Sequence, residues 1–179
     1  AEGAYRNILD NYEFPWARAG VARALHKQNR LDEAREEIER AVGATPNFFD
    51  AADIKASICI DQGETEEAQR GLGEGSKKTP RNYQRKRLLA EAATLNGDSD
   101  VARAAMADIV ANDTMPGAVS LEDRLALVRS HVAASDKISG EKVLVGMRES
   151  EVQNLALDEQ ASFAALLAIC SPGKGKPRF

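Results

Sequence analysis

Three sets of residues recur at an interval of 34 positions, and this interval constrains the fold more than any other feature of the sequence. The small residues of the first set are Ala34, Ala68 and Ala102. Four positions after each alanine comes a larger apolar residue, and five positions before it comes an Asn or a Gly; these are Ile38, Leu72 and Met106, and Asn29, Gly63 and Gly97. Self-similarity at such a period is the signature of an architecture in which each unit buries its apolar face against its neighbours.

Each unit of this repeat is predicted to contain two short amphipathic helices. Pro15 opens the first helix, where its missing N–H would be unbonded in any case. Asn29, Gly63 and Gly97 stand where the first helix of a unit must end, and prolines close two of the units at positions 46 and 80. The predicted boundaries of the three units are 15–48, 49–82 and 83–113.

The residues before Pro15 form half a unit. Tyr5, Ile8, Leu9 and Tyr12 follow the i, i+3, i+4, i+7 spacing of one helix face. We therefore predict that residues 1–14 are the second helix of a truncated repeat, in a chain that begins within a longer array. Residues 3–12 are expected to pack on the helix that Pro15 opens and to leave one apolar face uncovered. That face is expected to meet either another copy of the chain, by self-association, or an upstream helix.

The 34-residue spacing ends after Asn112. A Pro-Gly pair predicts a loop over residues 113–119, and Ser120 with Asp123 fits a capping box that opens a helix reaching about Ala134. Two further helices are predicted near residues 140–154 and 158–170. We interpret residues 114–172 as atypical capping helices and residues 173–179 as a basic tail.

Composition agrees with an all-α class. Apolar residues make up 43% of the chain, charged residues 29% and aromatic residues 5%, and no run alternates Val, Ile and Thr as strands do. The longest uncharged apolar run, residues 161–170, is too short for a bilayer, which needs roughly 20 residues. Two cysteines, Cys59 and Cys170, form no disulfide framework. We therefore predict a cytoplasmic protein with no membrane segment.

The spacing, the A-x3-large pattern and the closing prolines resemble the tetratricopeptide repeat over residues 15–112. This resemblance implies a right-handed superhelix, an α-solenoid that acts as a docking scaffold for another protein or peptide. The match departs from the family in residue identity, because the Trp of the pattern is displaced to Trp16 and the third closing proline is absent near Thr114.

A narrower resemblance covers roughly residues 14–135. The segments FPWARAGVARAL, DAADI, EEAQ and TPRNYQRKRLLAEAATLNGD are similar to the tetratricopeptide half of bacterial response regulators, which join such repeats to a receiver domain. This resemblance implies the output or docking part of a bacterial signal transduction protein. The receiver domain, with its phosphoryl-accepting Asp, has no counterpart in this sequence.

The resemblance also implies where a partner binds, because the first helix of each tetratricopeptide unit lines a concave groove. Counting starts at Pro15, Phe49 and Tyr83, which take the first helical position of each unit. The predicted partner-binding residues are Trp16, Arg23, His26, Lys27, Asp50, Asp53, Ser57, Asp61, Arg81, Gln84, Arg87 and Glu91. The groove is thus expected to be basic in the first unit, acidic in the second and mixed in the third.

The basic run Lys77–Arg87 (KKTPRNYQRKR) leaves three interpretations open. The favoured one is a solvated loop between repeats. The others are a docking surface for an acidic protein and a nucleic-acid contact; the last is disfavoured because the run has one aromatic residue and the net charge of the chain is −4.

No feature of the sequence predicts catalysis. The glycines at positions 71, 73 and 75 lack the strand and the Lys-Ser/Thr pair of a phosphate loop. The two histidines, His26 and His131, lie in different units without convergent ligands. We therefore predict no enzyme activity, no catalytic residue, no metal and no cofactor. The predicted function is a protein–protein interaction scaffold; the alternatives are a structural or self-assembly module and an adaptor for nucleic acid.

Overall fold

The computed structural model describes residues 1–111, 119–147, 152–153 and 156–171. These residues contain no strand, and ten helices lie within them. The helices are α1 (Glu2–Leu9), α2 (Pro15–His26), α3 (Leu31–Ala44), α4 (Phe49–Asp61), α5 (Thr65–Lys78), α6 (Tyr83–Leu95), α7 (Ser99–Ala111), α8 (Leu121–Ala133), α9 (Lys137–Val145) and α10 (Leu157–Cys170). The chain divides into two compact units, Ala1–Asn96 and Gly97–Phe179.

The first helices of the three predicted repeats begin where the 34-residue interval places them. Helices α2, α4 and α6 start at Pro15, Phe49 and Tyr83. Pro15 occupies the first turn of α2, where proline is tolerated because the first N–H groups of a helix have no intrahelical partner. The register used to assign groove positions therefore holds in all three repeats.

The first compact unit, Ala1–Asn96, buries its apolar residues between the two helices of each hairpin. Val21 and Leu25 of α2 and Ile38 of α3 are completely buried, and burial of each such side chain stabilises the fold by about 1.5–3 kcal/mol. Ala34 lies among them, and the equivalent Ala68 of α5 is 2% exposed. Ala68 thus occupies a buried position equivalent to that of Ala34, as the 34-residue interval implies.

Helix α1 covers one side of α2. A Cβ atom built on Gly20 would lie 2.7 Å from the ring of Tyr5, so the absence of a side chain at this position lets the ring lie directly on α2. Tyr5 and Leu9 are half-buried against the core of the first unit, and Ile8 is half-buried too. The predicted apolar face of α1 therefore packs on α2 in part.

The second compact unit, Gly97–Phe179, contains a helical hairpin, α8–α9, that resembles the hairpins of the repeats. Its equivalent residues come at a longer interval than 34 positions. Gly97 and Ser135 both have positive φ in a turn between two helices, and Ser135 comes four positions later than the 34-residue interval would place it. Gly140 and Leu144 follow Ala102 and Met106 at the same longer interval, and both are buried as their counterparts are. The hairpin pattern thus continues where the 34-residue template no longer applies.

Helix α10 packs on this hairpin. The core of the second unit joins Leu125, Val128 and Leu144 to Phe163 and Leu166. Sγ of Cys170 would lie 3.1 Å from a Cβ atom at Gly140, so a small residue is needed there. The predicted helix over 158–170 corresponds to α10, whereas the helix predicted near 140–154 begins earlier, at Lys137.

The predicted capping box is present at the start of α8. The hydroxyl of Ser120 accepts from the N–H of Asp123, and the carboxylate of Asp123 accepts from the N–H of Ser120. The box satisfies two of the N–H groups at the helix end that lack an intrahelical partner. Most of the predicted loop over 113–119 and the basic tail, 173–179, lie outside the described residues.

Candidate protein-binding groove

The first helices of the three repeats, α2, α4 and α6, line a groove with a volume of about 440 Å³. Its wall consists mainly of polar and charged side chains. The lining residues are Arg23, His26, Lys27, Asp50, Asp53, Ile54, Ser57, Asn82, Gln84 and Leu88. Seven of the twelve predicted partner-binding residues are among them; Ile54, Asn82 and Leu88 were not predicted.

The other five predicted residues do not line this groove. Asp61 is nevertheless joined to it, because its Oδ2 lies 2.5 Å from Nε2 of His26. Arg81 and Glu91 are exposed, and Arg87 is half-buried. Trp16 lies seven positions before Arg23, close to two full turns, and therefore on the same face of α2. Whether any of the twelve contacts a partner stays a prediction.

Arg85 of α6 is a buried cation that the sequence analysis did not single out. Its side chain is 1% exposed, and its guanidinium donates from Nε to Oδ1 of Asp53 at 2.6 Å and from Nη2 to Oδ2 at 2.8 Å. Nη2 also donates to the carbonyl of Phe49 at 3.3 Å, and Nη1 donates to Thr79. This paired, planar geometry is the strongest form of ion pair between arginine and a carboxylate.

A cradle around Arg85 makes its burial feasible. Cζ lies 5.2 Å from the centre of the Phe49 ring, within the range of a cation–π contact. On the other side, a Cβ atom at Gly75 would be 3.0 Å from Cδ of Arg85. A glycine within a helix is unfavourable by itself, but Gly75 of α5 provides the space for this side chain.

The favoured interpretation of the basic run Lys77–Arg87 is wrong for part of the run. Arg85 and Lys86 belong to α6 and are 1% and 6% exposed, so they are not in a solvated loop. The physical reason is the carboxylate of Asp53, which belongs to the preceding repeat and pairs with Arg85. The carboxylate partner on the preceding repeat and the glycine facing the arginine were the available signals, and both require the fold to be known.

The internal pairings change the charge that the groove offers. Both oxygens of Asp53 accept from Arg85, and Asp61 is engaged by His26. Among the residues that the structure describes, none pairs with Arg23, Lys27 or Asp50. The uncompensated charges of the groove are therefore two cations and one carboxylate, and not the alternation of basic and acidic units that the sequence predicts.

Three aromatic rings form an exposed stack at the start of α2. The rings of Tyr12 and Phe14 have centroids 5.5 Å apart, and those of Phe14 and Trp16 are 5.8 Å apart, with interplanar angles of 23° and 20°. The three residues are 63%, 40% and 49% exposed, respectively. The sequence analysis placed Trp16 in the groove but missed this stack, which we call the aromatic stack.

A second polar cluster lies between α3, α4 and α5. Cys59, Glu64 and Glu67 bring their ligand atoms within 4.8 Å of one another, but Arg35 lies among them. Its Nη1 is 3.2 Å from Sγ of Cys59 and 2.6 Å from Glu64, and its Nη2 is 3.0 Å from Glu67. Burial raises the pKa of the Cys59 thiol, which therefore stays protonated at neutral pH. These contacts describe an ion-pair network of the protein's own groups.

No helix among the described residues is long and apolar enough to span a membrane.

A comparison with curated proteins finds no match for the chain. Residues 1–47 match the family model described as Tetratricopeptide repeat.

Solved structures of tetratricopeptide repeat proteins share the fold. A thermophilic TPR protein of Thermus thermophilus aligns with a TM-score of 0.64 and 19% identity over 90% of this chain and 86% of that one. A putative kinesin light chain of Podosopora anserina with nearly identical TPR-like repeats aligns with a TM-score of 0.67 and 19% identity, over 90% and 88%. Pseudomonas aeruginosa pilF aligns with a TM-score of 0.66 and 15% identity, over 94% and 82%.

The helical hairpins and these matches define an all-α tetratricopeptide repeat solenoid. The chain has the fold of tetratricopeptide repeat proteins, and its residues 1–47 match the family model, as the 34-residue interval predicts. This fold supports a role as a scaffold for protein–protein interaction.

Proposed function

We propose that the chain is a docking module that binds an extended segment of another protein in the groove formed by α2, α4 and α6. The observation that supports this function is the groove of about 440 Å³ that seven of the predicted partner-binding residues line. Arg23, Lys27 and Gln84 offer exposed hydrogen-bond donors there, and such donors fix the orientation of a bound chain. We propose no catalytic residue, metal or cofactor.

An unbiased library of displayed peptides tests this function. Wild-type protein should select peptides that fail to bind the Ser57→Trp variant, because Ser57 is a half-buried residue of the groove wall and an indole there fills the groove. Ala104→Trp, at an exposed position of α7, is the control and should bind the selected peptides as the wild type does. Selection of peptides that bind both tryptophan variants equally would contradict the groove as the site.

We propose further that this docking module belongs to a bacterial signal transduction protein of the response-regulator type in the cytoplasm. The support is the similarity of residues 14–135 to the tetratricopeptide half of such regulators. Isolation of the native protein from its source should yield a longer chain that carries an acid-labile phosphoryl-aspartate. A native protein without a receiver domain would contradict this assignment and leave the docking function unaffected.

A self-assembly role is the second candidate, and the aromatic stack at Tyr12, Phe14 and Trp16 favours it, since exposed apolar patches often mark interfaces. Sedimentation of the protein at increasing concentration tests this role. A mass that rises with concentration, and does not rise in a Trp16→Ser variant, is expected if the chain self-associates through this stack. A constant monomer mass would contradict self-assembly.

A further inference from the structure

We propose that the segment bound in the groove is acidic and has an apolar residue at the end that meets the aromatic stack. This inference rests on the proposed docking function and adds the chemical class of the partner. It is argued from three features: the charges left uncompensated in the groove, their alignment along α2, and the exposed aromatic rings at the start of that helix.

The first step concerns the acidic side of the groove. A carboxylate whose two oxygens both accept hydrogen bonds from one buried guanidinium has little capacity left for a ligand cation. Asp53 is in that state, because Arg85 donates to both of its oxygens at 2.6 and 2.8 Å. Asp61 is engaged by His26 at 2.5 Å. Among the groove-lining residues, Asp50 is therefore the carboxylate left without such a partner, so a basic segment meets one available carboxylate there and not the three that the sequence predicts.

The second step concerns the cations. Arg23 and Lys27 are four positions apart on α2, both line the groove and both are exposed. Residues with this spacing lie side by side on one face of a helix. Because no described residue pairs with either cation, a ligand carboxylate replaces only water there. Complementary charge of this kind raises the association rate and determines which partner binds.

The third step concerns the length and direction of the site. Trp16, Arg23 and Lys27 lie on one face of α2, and eleven positions of a helix span about 16 Å. An extended peptide covers about 3.3 Å per residue, so roughly five residues of a partner would reach from the indole to the ammonium group. The apolar residue of that partner is therefore expected roughly two to four positions from its acidic residues.

The aromatic stack supplies the apolar end of the site. Its three rings are between 40% and 63% exposed and stack with near-parallel planes. Exposed aromatic groups of this kind pack well against proline and aliphatic side chains, and Trp, Tyr and Arg are enriched among the residues that contribute most to protein interfaces. Trp16 belongs both to the stack and to the groove face of α2, so it connects the two parts of the site.

Nucleic acid is a poorer match for the same surface. Binding of single strands requires a track of cations along the backbone together with aromatic stacking. The groove offers two uncompensated cations and one uncompensated carboxylate, Asp50. A protein segment with a few carboxylates balances this set of charges better than a continuous phosphate chain does.

The test uses the displayed library and three synthetic fluorescent peptides. The first synthetic peptide has leucine and proline at one end and glutamates at the other, the second has lysines in place of the glutamates, and the third has serines in place of leucine and proline. Fluorescence anisotropy measures their affinity for the wild type and for Arg23→Glu with Lys27→Glu. Lys77→Glu with Lys78→Glu, exposed residues of α5, is a control with the same change in net charge.

The expected result is enrichment of acidic peptides from the library and binding of the acidic synthetic peptide. Its affinity should fall about tenfold or more in the Arg23/Lys27 double variant and less than about twofold in the control pair, with a steeper salt dependence in the wild type than in the double variant. Trp16→Ala should weaken the first synthetic peptide but leave the third unchanged. Circular dichroism of each variant verifies that the helices are intact.

The outcomes separate this inference from the docking function. Enrichment of basic or uncharged peptides that fail to bind Ser57→Trp would overturn the inference and keep the docking function. Acidic peptides that bind the double reversal as tightly as the wild type would also overturn the inference, as would tighter binding of an oligothymidylate than of the acidic peptide. A library from which no groove-dependent peptide is selected would overturn both.

Discussion

At the scale of single residues, Arg85 connects two repeats. The arginine belongs to α6 and its carboxylate partner, Asp53, to α4. Such a pair is not strong evidence for stability by itself, since the desolvation of both groups offsets much of their attraction. Loss of Arg85 would leave Asp53, whose side chain is 15% exposed, without its counter-charge, and this loss is costly.

Arg85→Met should therefore lower the free energy of unfolding by about 3 kcal/mol, since breaking a buried pair typically costs about 3–5 kcal/mol and Asp53 is partly exposed. Urea denaturation followed by circular dichroism measures the change. Arg103→Met, in the exposed pair with Asp100, is the control and should cost less than about 1 kcal/mol. Equal costs for the two variants would show that the Arg85 pair has no special role.

Glu67 gives a pH-dependent prediction at the same scale. The ammonium of Lys55, at 2.8 Å, holds the pKa of the Glu67 carboxyl below its usual range, and Arg35 adds to the effect. A lowered folded-state pKa stabilises the fold above the unfolded pKa, near 4.3, and the contribution is lost as the pH falls through the folded-state value. Glu67→Gln should thus be less stable than the wild type at pH 7, and the difference should shrink below about pH 4. Denaturation at a series of pH values tests this; a difference that is constant from pH 7 to pH 3 would contradict it.

At the scale of helices, α5 combines glycines of two kinds. A Cβ atom at Gly71 would meet nothing within 4 Å, whereas one at Gly75 would lie 3.0 Å from Arg85. Gly71 reduces the stability of the helix, and no neighbouring side chain requires a glycine there. The second makes room for a buried side chain of α6.

Gly71→Ala should raise the free energy of unfolding by about 0.5–1 kcal/mol, because alanine reduces the entropy of the unfolded chain and favours the helix. Gly75→Ala makes the same chemical change and should lower it, because the new methyl group displaces Arg85 from Asp53. The two variants are matched controls for each other, compared by urea denaturation. Stabilisation by both would contradict the close contact at Gly75.

The helices themselves could be predicted from the sequence because their determinants are local and recur. The 34-residue interval was sufficient to place the starts of α2, α4 and α6 and the burial of Ala68. The charge of the groove could not be predicted in this way, because Asp53 is balanced by Arg85 of the next repeat, and a run of basic residues does not show which member is buried. The aromatic stack was missed because it depends on the chain path between α1 and α2.

At the scale of the whole molecule, four turns between helices share one unusual backbone conformation. Asn29, Gly63, Gly97 and Ser135 have φ of 60°, 81°, 75° and 62°. The first three follow one another at the 34-residue interval, and the fourth comes four positions later than that interval would place it. The last hairpin was not recognised as a repeat because this shift, together with Ser in place of Gly and Gly140 in place of Ala, conceals it from a template with a fixed period.

These turns predict opposite effects for opposite substitutions. Left-handed backbone costs about 1–2 kcal/mol for a residue with a Cβ atom, and glycine avoids this cost but has greater freedom in the unfolded chain. Ser135→Gly should therefore stabilise the protein by up to about 1 kcal/mol, whereas Gly63→Ala should destabilise it by about 1 kcal/mol. Asn29→Gly should have the smallest effect, because asparagine tolerates this conformation better than serine or alanine does.

Denaturation of the three variants, compared with the wild type, measures these differences. Each of the three substituted turns closes a hairpin in the same way, with an N–H of the residue after the left-handed position donating to a carbonyl five positions earlier; the bonds are Arg30 to Leu25 at 3.0 Å, Glu64 to Cys59 at 2.8 Å and Asp136 to His131 at 2.8 Å. The substitutions change the turn residue and leave these bonds available. Destabilisation by Ser135→Gly would mean that the serine side chain contributes more than the left-handed backbone costs, and that the turn of α8–α9 differs from those of the earlier hairpins.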